Sequence, residues 1–172
     1  MLLELLHAWR DFYIVTATAG ASLIGAMFVV ISIGVGFLTR ERLPGTHAYV
    51  TSSVVNMGAV VVASLLTMVP PLEWASFGGV LVFGGAVGLA YETSAAFAVH
   101  RFAVDWTDYI WYAAVPLVGY AGFIAAGTLS IVGNGDTVDV LALAVLWLLI
   151  CGVRNAWDMI LTIAIRPERA KE

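Results

Sequence analysis

Five apolar runs, each long enough to cross a membrane as a helix, constrain this chain more than any other feature. A bilayer core about 30 Å thick needs about 20 apolar helical residues. The runs cover 12–38, 48–69, 73–99, 107–133 and 138–165. They are rich in Ala and Leu, unlike the short alternating segments of a membrane barrel. The sequence therefore predicts an all-α integral membrane protein, 1–172 forming a single membrane domain with a tail at 166–172.

Composition agrees with a membrane-embedded chain. Of the 172 residues, 61% are hydrophobic and 12% are charged, whereas soluble domains are roughly 45 to 50% apolar. The net charge of −4 supplies no basic surface of the kind that displaces counterions from nucleic acid. We therefore expect the lipid bilayer, and no nucleic acid, as a partner.

The connections between the runs are short. They fall at 40–45, 70–71, 100–106 and 133–136 and contain proline, glycine or charged residues. Short connections make neighbouring helices antiparallel. The sequence thus predicts a bundle of five antiparallel transmembrane helices.

The last connection lies in the stretch SIVGNGDT, at 130–137, which resembles the potassium-channel selectivity filter, T-V-G-Y-G-D. Four residues match that pattern, namely Val132, Gly133, Gly135 and Asp136. Isoleucine, however, replaces the ion-coordinating threonine, and Asn134 replaces the aromatic residue. Gly133 is suited to end a helix, and Asp136 to cap the next one. The local chemistry favours a turn over an ion filter.

Positive charge is distributed unequally between the two sides of a five-span chain. One side carries Arg40, Arg42, Arg101, Arg166, Arg169 and Lys171. The other side carries Arg10, and Arg154 lies within a span. The positive-inside rule places the side with more Arg and Lys in the cytoplasm. This predicts an external N-terminus and a cytoplasmic C-terminus, in a bacterial-type inner (plasma) membrane.

Residues 1–11 have the pattern of a short amphipathic helix. Leu2, Leu5, Leu6 and Trp9 recur at helical spacing, and Glu4, His7 and Asp11 occupy the opposite face. Such a helix is suited to lie along the membrane interface. The run that follows is longer than the roughly 7 to 15 residues of a signal-peptide core, so we expect a retained anchor.

Polar residues recur at one depth in three of the spans. At 1.5 Å per helical residue, Asn56, Glu92 and Asp158 lie about 12 to 14 Å from the residues expected to anchor the inner ends of their spans, His47, His100 and Arg166. Arg154 lies about 18 Å in, close to the midplane. Spans two, three and five are therefore predicted to share a polar layer in the cytoplasmic half.

Two interpretations of the Glu92, Arg154 and Asp158 group remain open. Arg154 and Asp158 are at i and i+4 and can pair on one helix face. The group is either an ion-pair network that fixes packing or a hydrated pocket for an ion, proton or small polar solute. Candidates for the walls of the pocket are Asn56, Asn155, Tyr91 and Thr93.

Small residues at spacings of four predict close helix packing. In span three they are Gly84 and Gly88, which lead to Glu92. In span one they are Ala17, Ala21 and Gly25. Small residues let a second helix backbone approach closely in a membrane, so both strips are expected to be packing faces.

No motif for an enzyme, a cofactor or a metal occurs in the chain, and its three histidines lack metal-ligand spacing. A protomer of this size has little room to enclose a solute path alone. We therefore expect a homo-oligomer or other membrane subunits as partners. The leading hypothesis is an oligomeric channel or transporter-like protein, and the alternative is a non-catalytic accessory or assembly subunit of a larger membrane complex.

Overall fold

The computed structural model describes residues 2–34, 43–69, 73–100 and 114–165, with side chains for 4–32, 51–69, 73–96 and 114–157. Within these ranges the regular structure is α-helical throughout. The helices are α1 (Leu2–Ala8), α2 (Arg10–Gly34), α3 (Leu43–Leu66), α4 (Trp74–His100), α5 (Val115–Ile131) and α6 (Thr137–Ile165). The predicted all-α class is confirmed.

Within the described ranges, three helices contain segments that are long and apolar enough to cross a membrane. These segments are Arg10–Ser32 in α2, Trp74–Ala96 in α4 and Thr137–Trp157 in α6. Two shorter apolar segments, Thr51–Leu66 and Val115–Ile131, lie in α3 and α5. These helices support a membrane protein, and the count of five spans stays a prediction.

Helices that follow one another along the chain run in opposite directions. The hydrogen bonds of Thr16 Oγ1 with Ser64 Oγ (3.0 Å) and of Ser130 Oγ to the Trp74 carbonyl (2.7 Å) each join the start of one helix to the end of the next one. The hydrogen bond of Tyr13 Oη to the Val138 carbonyl (2.9 Å) joins the starts of α2 and α6, which run parallel. They place the starts of α2, α4 and α6 and the ends of α3 and α5 at one end of the bundle. We call this the turn end, because it also holds the connection between α5 and α6.

Helix α1 packs on the turn end of the bundle. Leu6 is buried in the hydrophobic core, and Leu5 lies beside Gly135 in the connection between α5 and α6. Glu4 and His7 are exposed on the opposite face. An amphipathic helix is thus present where the pattern indicated one, with its apolar face against protein. Its location at a membrane interface stays a prediction.

The connection between α5 and α6 is a turn. Gly133 has φ of +73°, in the left-handed region that glycine adopts at helix ends. The Gly133 amide donates to the Ser130 carbonyl, and the Asn134 amide donates to the Leu129 carbonyl, both at 2.9 Å. These two bonds define a Schellman motif, after which α6 begins at Thr137. The predicted turn is therefore confirmed.

The other predicted connections are described only at their edges. Helix α3 begins at Leu43, within the predicted 40–45 connection, because Pro44 is tolerated in the first helical turn, where its missing N–H would have no helical acceptor. Residues 40–42, 70–71 and 101–106 lie outside the described residues. So do the cytoplasmic charges of the orientation argument, Arg40, Arg42, Arg101, Arg166, Arg169 and Lys171. The orientation stays a prediction.

Helices α4 and α5 pack with their backbones in contact. A methyl group at Gly78 would overlap the Gly127 carbonyl oxygen, and one at Gly85 would lie 2.9 Å from the Tyr120 carbonyl oxygen. A methyl group at Gly88 would overlap the Tyr120 ring. The absence of side chains at these glycines is what lets α5 approach α4.

The contact face of α4 coincides only partly with the predicted strip. Gly88 lies in the contact, whereas Gly84 is exposed and a methyl group there would have no neighbour within 4 Å among the described residues. Gly78 and Gly85 lie on the contact face instead. Within this chain, Gly84 therefore faces away from α5, and Gly88 is the residue of the predicted strip that contacts it.

The predicted strip on α2 is also only partly covered. Ala17 is buried, whereas Ala21 and Gly25 are exposed. The close contact between α2 and α3 is made by Gly20, where a methyl group would lie 2.9 Å from a methyl carbon of Val61. Within this chain, packing on α2 therefore involves Ala17 and Gly20.

Candidate functional site

Glu92 is fully buried inside the bundle. It lies on α4, two turns before His100 ends that helix, and none of its surface is exposed. Ser52 on α3 donates a hydrogen bond from Oγ to the carboxylate oxygen Oε1 at 2.7 Å. The second oxygen, Oε2, is buried and makes no hydrogen bond within the described part of the chain.

Asn56 lies beside this carboxylate. It follows Ser52 by one helical turn, so both side chains lie on the same face of α3. The Asn56 amide is next to the Glu92 carboxylate, but its Nδ2 has no partner with hydrogen-bond geometry in the described residues. The amide oxygen Oδ1 accepts a hydrogen bond of 2.7 Å from the Tyr120 hydroxyl on α5. Three helices thus contribute to one buried cluster.

We call Ser52, Asn56, Glu92 and Tyr120 the Glu92 cluster. All four side chains are buried, and the exposed fraction is highest for Ser52, at 4%. The cluster holds two hydrogen bonds between side chains of different helices. Two of its buried atoms, Glu92 Oε2 and Asn56 Nδ2, have no hydrogen-bond partner among the residues that the structure describes.

Asn155 is a further buried amide, on α6. Its side chain is 2% exposed, and neither Oδ1 nor Nδ2 has a hydrogen-bond partner among the described residues. Gly152, one turn earlier, packs against Met57 of α3, where a methyl group on the glycine would overlap the Met57 side chain. Asn155 is therefore on the face of α6 that packs against α3, towards the end of the bundle opposite the turn end.

The structure places Arg154 away from the buried cluster. Its side chain is exposed on α6, where it borders an apolar groove formed with Leu149, Ile150, Val153 and Trp157. Asp158 lies in α6 as well, and its side chain is outside the described residues. The structure thus brings Glu92 and Asn56 together and places Arg154 on the outer surface of the bundle.

Two other residues proposed for the pocket wall are positioned less centrally. Tyr91 is half-buried, next to Glu92 along α4. Thr93 is exposed, and its hydroxyl donates to the Leu89 carbonyl of the same helix at 2.6 Å. Thr93 is therefore bonded to its own helix and is turned away from the buried carboxylate.

Ser52 and Tyr120 were not found by reasoning from the sequence. Ser52 precedes Asn56 by four residues, and this helical spacing is a signal that was available in the sequence. Tyr120 gave no such signal, because its contact with Asn56 depends on how α5 is rotated against α4.

The cluster combines one carboxyl group with two hydroxyl groups and one amide, each of which can both donate and accept. A hydroxyl has a donor and acceptor lone pairs, and an amide has both an N–H₂ group and a carbonyl. Buried polar atoms without partners destabilise a protein by about 1 to 3 kcal/mol each. A small species that pairs Glu92 Oε2 and Asn56 Nδ2 would remove that penalty, so the arrangement is suited to binding.

Comparisons of this chain with models of protein families, with curated proteins and with solved structures find no match.

Proposed function

We propose that this protein is a small channel or transporter-like membrane protein that takes up an ion, a proton or a small polar solute at the Glu92 cluster. One observation carries the proposal: the Glu92 side chain is completely enclosed by protein, with 0% of its surface accessible, and its Oε2 makes no hydrogen bond in the described chain. A charged side chain at the bilayer centre costs at least about 2.5 to 3.5 kcal/mol. Such residues commonly mark ion and proton pathways.

The competing structural explanation is that Glu92 only fixes helix packing. A packing role is fulfilled best when both carboxylate oxygens are paired, because an unpaired buried oxygen weakens the fold. Among the described residues, Ser52 donates a hydrogen bond to Oε1, and Oε2 has no partner. The incomplete pairing of the carboxylate therefore favours a binding role over a purely structural one.

The proposal includes five spans with the N-terminus outside. The antiparallel arrangement supports it, since the turn end gathers the starts of α2, α4 and α6. In a five-span chain, the residues with most of the positive charge then follow at the opposite end, which the positive-inside rule assigns to the cytoplasm. The Glu92 cluster then lies nearer the cytoplasmic side.

Flux measurements test the proposed function. Purified protein in liposomes is expected to pass protons or ions above the rate of empty liposomes, and Glu92→Gln is expected to abolish that flux. Glu73→Gln is the matched control, because Glu73 is an exposed carboxylate just before α4. Flux that is absent, or that Glu92→Gln leaves unchanged in a correctly assembled protein, would refute the proposal.

The orientation is tested separately by cysteine accessibility. The only native cysteine, Cys151, is buried, and Cys151→Ser removes any background labelling. In that variant, Asn134→Cys is expected to react with a membrane-impermeant thiol reagent from the external side. Reaction from the cytoplasmic side alone would show that the orientation is the reverse.

An accessory or assembly subunit is the second candidate function. The observation that favours it is that Ala21, Gly25 and Gly84 are exposed, so small-residue faces on α2 and α4 are open to another membrane helix. Copurification of a stoichiometric membrane partner, together with no flux from the purified chain, would favour this function. The oligomeric state in mild detergent distinguishes a partner chain from a second copy.

A further inference from the structure

We propose that the species bound at the Glu92 cluster is a proton, carried on Oε2 of Glu92 and exchanged with the aqueous phase. This inference rests on the proposed function for the role of the site, and it adds the identity of the ligand. It follows from the size of the site, from the types of atom in it and from the charges around it.

The size of the site limits the ligand. Glu92 and Asn56 are 0% exposed, and Tyr120 is 1% exposed. The Tyr120 ring also lies directly against Gly88, one turn before Glu92 on α4. An organic solute would have to displace these packed side chains, whereas a proton occupies no additional volume. The packing therefore favours the smallest ligand.

The atom types favour a proton over a metal cation. Hard cations take oxygen ligands, six to eight for Ca²⁺ and an octahedral set for Mg²⁺. In the cluster, Glu92 Oε1 and Asn56 Oδ1 already accept hydrogen bonds, and one of the unpaired atoms is the amide nitrogen of Asn56. An N–H donor repels a metal cation and pairs well with a carboxylate.

The neutral groups of the cluster can serve both protonation states of the carboxyl. With Glu92 ionised, the Asn56 N–H₂ group beside the carboxylate can donate to Oε2. With Glu92 protonated, Oε2 itself becomes a donor and the amide carbonyl of Asn56 has a second lone pair to accept from it. Ser52 donates to Oε1 in either state. Both protonation states of the carboxyl therefore have a candidate hydrogen-bond partner within the cluster.

Among the described residues, few titratable groups lie near enough to the carboxyl to sense its charge. They are the Tyr120 hydroxyl on α5, the Cys151 thiol on α6 and Tyr91 on its own helix. Tyrosine and cysteine ordinarily titrate at about 10 and 8.5, so these groups are neutral near pH 7. Helix α3 presents the neutral Ser52 and Asn56, and the side chain of Arg154 is exposed on α6. A proton on Glu92 is thus the direct means of neutralising the buried carboxylate.

Infrared difference spectroscopy of the reconstituted protein tests this proposal. As pH is raised, the protein is expected to lose the carbonyl band of one buried carboxylic acid and gain a carboxylate band. The carbonyl band should shift in heavy water, be absent in Glu92→Gln and persist in Glu73→Gln. Isotope-labelled glutamate in the wild-type protein identifies the band as that of a glutamate, and Glu92 is the glutamate that is fully buried among the described residues, so the test does not depend on a variant that fails to fold.

Two results would overturn the proposal. One is a Glu92 band that stays constant over the whole pH range in which the helices remain folded. The other is loss of that band when sodium chloride replaces choline chloride at constant pH, since a metal cation would then be the ligand. The proposed transport function and the proposed proton ligand can be refuted independently. A pH-dependent Glu92 band in a protein that shows no flux would refute transport alone. Flux through a protein whose Glu92 band does not change with pH would refute the proton as ligand alone.

Discussion

A methyl group added at Gly78 should be far more damaging than the same group added at Gly84. Both glycines lie inside α4. At Gly78 the methyl carbon would overlap the backbone carbonyl oxygen of Gly127, and at Gly84 it would meet nothing within 4 Å. A backbone oxygen cannot rotate away as a side chain can, so Gly78→Ala must separate α4 from α5. Gly84→Ala leaves the contact intact.

The magnitudes follow from two opposing effects. Replacing a helical glycine with alanine stabilises the helix by about 1 kcal/mol, and this gain is common to both variants. Overpacking costs about 1 to 3 kcal/mol, and overlap with backbone puts Gly78→Ala at the upper end. We expect a net loss of about 2 kcal/mol for Gly78→Ala and a gain of about 1 kcal/mol for Gly84→Ala.

Thermal unfolding of the two variants in the same detergent measures this difference. For a chain of this size, 1 kcal/mol corresponds to about 2 to 4 °C in Tm, so the Tm values should differ by about 6 to 12 °C. Equal shifts would refute the described contact between α4 and α5. A larger loss from Gly84→Ala would show instead that the exposed Gly84 face packs against another chain.

The remaining predictions concern single hydrogen bonds and the turn. Ser52→Ala removes the hydrogen bond to Glu92 Oε1 and should cost about 1 to 3 kcal/mol in the free energy of unfolding, measured by thermal denaturation. Tyr13→Phe removes the bond from α2 to the Val138 carbonyl of α6 and should lower the free energy of unfolding by a similar amount, about 1 to 3 kcal/mol. Gly133→Ala forces a side chain into the left-handed region and should cost about 1 to 2 kcal/mol, seen as a lower Tm.

Matched controls distinguish these effects from general sensitivity to mutation. Ser22 is exposed, and within the described part of the chain its hydroxyl donates to the Thr18 carbonyl of its own helix, so Ser22→Ala should change stability by less than about 0.5 kcal/mol. Gly135 lies in the same turn as Gly133, and a methyl group there meets only Leu5, at an ordinary 3.7 Å. Losses of equal size in a variant and its control would contradict the corresponding assignment.

The fold class followed from the sequence because membrane helices are specified by length and hydrophobicity alone. Backbone groups in a bilayer must be satisfied within the helix, so a long apolar run has few alternative structures. The turn at Gly133 was equally predictable, since its Gly-Asn-Gly-Asp chemistry is local. The contact face of α4 could not be predicted in the same way. The segment contains several glycines, among them Gly78, Gly84, Gly85 and Gly88. A spacing of four residues before Gly88 pointed to Gly84, whereas the contact uses Gly85.

The sequence predicted how far along each helix the site residues lie, but not the direction in which their side chains face. Counting residues along each span put Asn56 and Glu92 at one level, and in the structure their side chains are adjacent. The same count put Arg154 near that level, yet its side chain is exposed while that of the next residue, Asn155, is buried. Rotation about the helix axis depends on packing against other helices, and a count of residues does not contain that information.

The glycine contact and the Glu92 cluster form a single unit. Because Gly88 has no side chain, the Tyr120 ring lies against α4 one turn from Glu92, and from there its hydroxyl reaches Asn56 on α3. One turn before Asn56 on α3, the hydroxyl of Ser52 donates a hydrogen bond to Glu92 on α4. The contacts thus form a closed path through three helices, so the packing that brings α4 and α5 together also positions the polar groups around the carboxylate. The proposed binding role for Glu92 therefore requires the same close helix contact that a purely structural interpretation would emphasise.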